Sequence, residues 1–236
     1  MLKSTKQILA KGFSSEVGSG VQFDPTKVVK RVLRMNDGHE IPQVGFGTYS
    51  IKKPEQFQWA IKYGYRHFDT GSFYMNEGII ASELKKADID LGINRSEVFV
   101  ASKIPPKEQG YEKTKAVVEK SLKTLEPLGY IDLMLLTFPG TAGVDPKDAK
   151  NIENRHDSWR ALEEFVVSGR IKSIGVANFK PRHLQGLLDI AYTKPVVNQI
   201  ETHPLYTEFD TIELCKEHNI LIEAYSPLAQ NNKNLM

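Results

Sequence analysis

Cysteine is nearly absent: the 236 residues contain one, Cys215. A lone thiol excludes an internal disulfide, and a chain with no thiols to pair fits a reducing, cytoplasmic setting. Long apolar runs are absent as well. The longest, such as Leu133 to Leu136, fall far below the roughly 20 residues that cross a hydrocarbon core, so no membrane association is expected. Neither sign of charge dominates, because 31 Lys and Arg face 29 Asp and Glu for a net +2. That balance lacks the concentrated basic face that phosphate-backbone recognition requires, and no nucleic-acid partner is expected. His156, His183, His203 and His218 show neither H-E-x-x-H nor another ligand spacing, which argues against a metal site. Without an apolar core of secretory length near the N-terminus, the sequon Asn94-Arg95-Ser96 reads as accidental.

The composition that remains, 40% hydrophobic and 25% charged, is that of a soluble globular chain with one large domain. Residues 1–30 differ from the rest. Lys3, Lys6, Lys11, Lys27 and Lys30 stand among serines and glycines without a hydrophobic period, so this segment reads as a disordered basic arm. A mitochondrial targeting peptide is the alternative, against which the lack of arginine there counts. The globular domain is read over residues 31–236.

From position 31 the pattern becomes regular. Arg31–Met35, Asn36-Asp37-Gly38 and Glu40–Val44 read as a β-hairpin closed by a tight primed turn. Strands are then expected at Val44–Thr48, Tyr65–Asp69, Val98–Ser102, Ile131–Leu136, Ser173–Ala177, Val196–Ile200 and Leu221–Ser226. Helical patterns fall between them at Pro54–Tyr63, Lys113–Leu125, Arg155–Ser168, Pro181–Ile190 and Thr211–Glu217. Trp59 and Trp159, inside two of these, are expected in the core. Strands separated by helices need crossover connections, which give a parallel sheet covered by helices. A doubly wound dinucleotide fold would want G-x-G-x-x-G, and Gly45-Phe-Gly47-Thr-Tyr-Ser50 lacks the third glycine. The alternative is a (β/α)8 barrel, with the N-terminal hairpin at its bottom and its site at the C-terminal ends of the strands.

Those ends carry chemistry. Asp69 closes the second strand, Lys103 follows the third, and Tyr74 lies in the loop after Asp69. A carboxylate and an ammonium on one rim can neutralise each other, and taken alone they read as a buried salt bridge. A phenol beside them changes the reading, because Lys⁺ stabilises phenolate and lowers a pKa that starts near 10. Cys215, without a partner histidine, reads as a packing residue.

Asp69-Thr-Gly-Ser-Phe-Tyr74-Met-Asn76-Glu77, Ser102-Lys103, Tyr130-Ile-Asp132-Leu, Gly175-Val-Ala-Asn178-Phe179, Asn198-Gln199-Ile-Glu201 and Glu223-Ala-Tyr225-Ser226-Pro227-Leu228 together resemble the aldo-keto reductase superfamily, in family order from about residue 31 to 229. The resemblance implies a (β/α)8 barrel that binds NADP(H) and transfers hydride to a small-molecule aldehyde or ketone. It casts Tyr74 as general acid, Lys103 as the group lowering its pKa, and Asp69 as the holder of Lys103. Asn178 and Gln199 fall on positions that hydrogen-bond the nicotinamide carboxamide, and Tyr225 on the one that stacks on the ring. Thr48, Ser226 and Leu228 match further cofactor contacts, and Tyr49 and Phe138 match the substrate side.

Three departures qualify this expectation. Thr137 stands where the family usually has an active-site histidine, offering at most one hydroxyl donor. Ala177 stands where a serine is usual. The chain reaches Met236 before the eighth strand and the C-terminal loop, so an incomplete barrel is expected, with weakened NADP(H) affinity and self-association through open edges. The competing expectation is a catalytically impaired homologue that serves as a binding or regulatory protein, or an incomplete gene product.

Overall fold

Side-chain parity along parallel strands builds the molecule, which a computed structural model describes over residues 31–231. The expected basic arm, residues 1–30, lies outside the described residues. A hairpin of β1 (Val32–Arg34) and β2 (Glu40–Pro42) precedes a parallel sheet of β3 (Phe46–Gly47), β4 (His67–Asp69), β5 (Phe99–Ile104), β6 (Ile131–Leu136), β7 (Ile171–Ala177), β8 (Val197–Glu201) and β9 (Leu221–Tyr225). Each strand pairs with the next in the chain, with β3 and β9 at the two ends of the order. The helices in the connections are α1 (Pro54–Lys62), α2 (Glu77–Leu91), α3 (Tyr111–Thr124), α4 (Lys150–Val167), α5 (Pro181–Leu188) and α6 (Phe209–Glu217). This is an incomplete (β/α)8 barrel, as expected.

Alternate residues separate two cores, as a period of two requires. Phe68, Val100, Met134, Ile174 and Val176 face outward into a layer shared with Ile80, Leu84, Val118, Leu122, Trp159 and Leu184 of the helices. Phe99, Ala101, Leu133, Leu135 and Val197 face inward and meet Met35 and Ile41 of the hairpin. The hairpin therefore plugs the barrel at the starts of its strands, where Asn36 Nδ2 donates to the Pro195 carbonyl at 2.9 Å and Ser173 Oγ to Asp37 at 2.6 Å.

Several expectations need correction. The hairpin turn is not primed: only Gly38 takes a left-handed φ, +91°, while its N–H returns to the Met35 carbonyl at 3.0 Å. That geometry is a type I turn closed by glycine. Helix α2 was not among the helical patterns read, although Ile80, Leu84 and Ala87 form its buried stripe; the buried acids Glu77 and Glu83 break up its apolar pattern. Helix α4 begins five residues early because Asp148 Oδ1 accepts the Lys150 N–H at 2.8 Å. Trp159 is fully buried and donates to the Thr193 carbonyl at 3.0 Å, but Trp59 is 60% exposed. Helix α1 buries Phe57, Ala60 and Ile61 instead, and position 59 lies off that face.

Candidate active site

The C-terminal ends of β3 through β9 converge on a cleft of about 360 Å³, within the range of small-molecule sites. Its base holds Asp69 and Lys103, one wall Tyr49 and Tyr74, and the other Asn178, Gln199 and Tyr225, with Gly47, Thr137, Ala177 and Ser226 completing the rim.

Lys103 reaches this point because β5 places residues 99, 101 and 103 on the inner face. Its ammonium, 2% exposed, donates to Asp69 and, at 2.9 Å, to the Thr70 carbonyl. Tyr74 sits on a short 3-10 turn, Ser72–Tyr74, directly after β4. That turn is fixed by Ser72 Oγ, which donates to the Lys103 carbonyl at 3.1 Å, and by the buried Asn76. Asn76 Nδ2 donates to the carbonyls of Thr48 (2.8 Å) and Ile51 (3.0 Å), while its Oδ1 accepts from Thr70 at 2.6 Å. The Lys103 ammonium then lies 5.0 Å from the centre of the Tyr74 ring. Tyr49 packs edge-on against the same ring at 5.1 Å.

The electrostatics differ from the simple expectation that Lys103 brings the Tyr74 pKa down. Burial raises the phenol pKa, Lys103 opposes that rise without overcoming it, and the Asp69 charge adds to it. Burial also works against the Lys103 ammonium, but Asp69 and Tyr74 more than offset it, so its pKa is raised and the group stays charged. The arrangement amounts to a weak acid kept protonated next to a permanent cation. Such a phenol can donate a proton to an oxygen that is becoming negative, and the cation stabilises the phenolate left behind.

On the opposite wall, Gln199 Nε2 donates to Asp69 Oδ1 at 3.1 Å. Asn178 adopts a left-handed φ of 63°, which asparagine tolerates, and its Nδ2 donates to the Thr137 carbonyl at 2.9 Å. Tyr225 OH donates to Asn178 Oδ1 at 2.9 Å.

Not every expected residue joins the cleft. Thr48 is fully buried with its hydroxyl donated to the Asp69 carbonyl at 2.9 Å, so it braces Asp69 from behind. Leu228 and Phe138, 68% and 49% exposed, stand outside the lining. Thr137 does line it, but its hydroxyl donates to the Ile104 carbonyl at 2.6 Å and so has no proton left for a ligand. Asp132 of the quoted motif is structural: it receives Arg95 at 2.6 Å and the Val100 N–H at 2.8 Å, tying β5 to β6. Asn76 and Gly47 were not singled out as site residues. The signal for Asn76 was its place two residues after Tyr74. Among the described residues no cluster of His, Cys, Asp and Glu could hold a metal ion, and no helix is long and apolar enough to cross a membrane.

Comparison with known proteins agrees with this geometry. The sequence model described as "Aldo/keto reductase family" matches residues 44–232. A glyoxal reductase of Bacillus subtilis is 39% identical over 210 residues, covering 87% of this chain and 70% of the relative. An aldo/keto reductase structure from Brucella melitensis superposes with a TM-score of 0.75 at 34% identity, over 84% of this chain and 73% of the other. A Bombyx mori aldo-keto reductase in complex with NADP gives a TM-score of 0.75 at 30% identity, over 85% and 67%.

Proposed function

The chain belongs to the aldo/keto reductase family, and from that membership we propose an NADPH-dependent oxidoreductase that reduces aldehyde or ketone carbonyls to alcohols with Tyr74 as general acid. The observation that carries this reading is the meeting of a half-buried phenol, an enclosed ammonium and a carboxylate at one barrel rim. A cytoplasmic location goes with it, on the ground of the single thiol.

The donor set of the cleft fits a nicotinamide. Gln199 turns its N–H toward Asp69, which leaves its carbonyl oxygen for the carboxamide N–H. Asn178 has a second N–H beyond the one given to Thr137, suited to the carboxamide oxygen. The half-buried ring of Tyr225 offers an aromatic platform, and Ser226 borders the space beside it. Bound there, NADPH supplies the hydride that reduces the carbonyl carbon.

The residues of the chain supply the rest. Tyr74 donates its phenolic proton to the carbonyl oxygen as negative charge develops there. Lys103 stabilises the phenolate, Asp69 and the Thr70 carbonyl hold Lys103 in place, and solvent at the cleft mouth returns the proton. A donor fixed before the reaction costs no reorganisation during it. Tyr49, and Phe138 at the margin, border the substrate side, which suits a small or medium carbonyl compound.

Thr137 favours a second reading. With its hydroxyl given to Ile104, the β6 end supplies no donor to back up Tyr74, and a cofactor-binding homologue with little turnover follows. NADPH consumption over a carbonyl panel headed by glyoxal, together with NADPH binding, separates the two. The reductase reading expects turnover that Tyr74→Phe reduces by about 10²-fold or more while cofactor binding persists. Binding without turnover in the wild type favours the second reading, and neither binding nor turnover refutes both.

A further inference from the structure

Beneath the cleft the barrel interior holds two ionisable groups that the reaction leaves unused. Glu223, midway along β9, is in register with Gln199, and His67, at the start of β4, is 2% exposed. The imidazole has little freedom: it packs edge-on against Phe99 at 4.8 Å, and a Cβ at Gly45 would come within 3.0 Å of it. Its Nδ1 lies 3.3 Å from the Pro42 carbonyl oxygen. A carbonyl only accepts, so Nδ1 carries the hydrogen and Nε2 of the neutral ring carries a lone pair. That Nε2 is 3.7 Å from Glu223 Oε1, just beyond hydrogen-bond length. Both His67 Nε2 and Glu223 Oε2 are enclosed, and among the described residues neither of these two atoms has a hydrogen-bond partner, although Gln199 hydrogen-bonds the Glu223 carboxyl. An ionised carboxylate would therefore oppose a neutral imidazole as acceptor against acceptor, which a low-dielectric interior penalises. One added proton removes the conflict. Placed on the carboxyl it leaves no buried charge, whereas an imidazolium–carboxylate pair would bury two.

We propose that Glu223 is held as a carboxylic acid with its proton directed at His67 Nε2, and that this neutral pair is a positioning device for Asp69 and Lys103 above it. The proton assignment stands on geometry; its consequence for catalysis rests on the reductase reading. An ionised Glu223 would set a second carboxylate beside Lys103, in competition with Asp69, and would draw the ammonium inward from Tyr74. Burial pushes the Glu223 pKa up and Asp69 pushes it further, against the Lys103 ammonium and a hydrogen bond from Gln199; His67 would oppose the rise only as an imidazolium, a charge the neutral pair does without. The groups facing Glu223 are thus His67 and Asp69 from β4, Lys103 from β5 and the uncharged Gln199 from β8. Asp132 on β6 reaches His67 only as a longer-range charge and is itself paired with Arg95.

Spectroscopy on the cofactor-free protein tests the proton. The infrared difference between wild type and Glu223→Gln, near neutral pH, is expected to contain the carbonyl stretch of a protonated carboxylic acid. Nitrogen NMR of the wild-type histidines is expected to show His67 as the neutral Nδ1–H tautomer. A His67 imidazolium, or a carboxylate band in place of the acid band, overturns the proposal. The NMR measurement needs no variant, so a His67 imidazolium would overturn the proposal even if Glu223→Gln fails to fold. Catalysis tests the positioning. Ionisation of Glu223 at alkaline pH should produce a falling limb in the pH profile, and Glu223→Gln, whose amide cannot ionise, should move that limb up by about one pH unit or more. Identical limbs overturn the positioning role. An acid band without any carbonyl turnover supports the proton assignment and refutes the reductase reading instead.

Discussion

Replacing Lys103 with methionine keeps most of the side-chain volume and removes the ammonium, with two separable consequences. The first is on stability. Lys103 is 2% exposed and the Asp69 side chain 13%, so the substitution strands an enclosed carboxylate with Gln199 Nε2, 3.1 Å away, as its remaining side-chain donor among the described residues. Breaking a buried pair in this way costs about 3–5 kcal/mol. The second is on the phenol. A unit charge 5.0 Å from the Tyr74 ring centre is worth about 3 kcal/mol at an effective dielectric near 20, and water at the cleft mouth screens part of this. The sign is fixed: losing Lys103 removes the opposition to burial, and the raised Tyr74 pKa rises again. Phenolate absorbance titration of Lys103→Met against Lys103→Met/Tyr74→Phe isolates that ionisation, and the wild type against Tyr74→Phe gives the reference. Adding Asp69→Asn to Lys103→Met should recover most of the lost stability without restoring the phenol. An unchanged Tyr74 ionisation, or a Lys103→Met protein as stable as wild type, would refute the electrostatic account.

Gly175 faces the barrel interior where an added Cβ would lie 2.7 Å from the Val197 carbonyl oxygen and 2.8 Å from Leu135 Cδ2; Gly175→Ala should destabilise by about 1–3 kcal/mol in denaturant melts. Thr137→Val deletes a hydroxyl already donated to Ile104, so kcat/KM should change by no more than about threefold; a loss near a hundredfold would mark Thr137 as a donor to substrate. His183 has its pKa lowered from 6.5 to about 4 by burial and by Arg155, Arg182 and Lys180. The unfolded chain therefore takes up this proton first, and stability should fall as pH drops from 6.5 toward 4. His183→Gln should remove that slope, roughly 1–2 kcal/mol once the half-exposed ring is discounted for screening, as read from urea midpoints across the range.

The parts of the site legible in the sequence were those fixed by strand ends. Asp69, Lys103, Gln199 and Tyr225 each sit at an inward position near the end of a strand, so parity and the parallel order bring them together once those ends are located. What depends on register between strands was not legible. The Thr137 hydroxyl is engaged because β6 leaves it against the Ile104 carbonyl of β5, and nothing local in Leu136-Thr137-Phe138 signals that. Glu223 was read only as the first residue of a motif; its encounter with His67 crosses from β9, at one end of the strand order, to β4, next to the other end. The net direction of the Tyr74 pKa was missed for a related reason. Charge partners can be proposed from residue types, but the depth of burial that outweighs Lys103 exists only in the folded cleft.

The central claim is that Tyr74 protonates a carbonyl while hydride reaches its carbon in the same cleft. Single-turnover reaction of the wild type with NADPH deuterated at its transferable position, followed by mass analysis of the product alcohol, tests this most directly. Deuterium bound to the former carbonyl carbon, abolished in Tyr74→Phe although that variant still binds NADPH, is the predicted result. Bound NADPH with no deuterated alcohol in the wild type, or undiminished labelling in Tyr74→Phe, would contradict it.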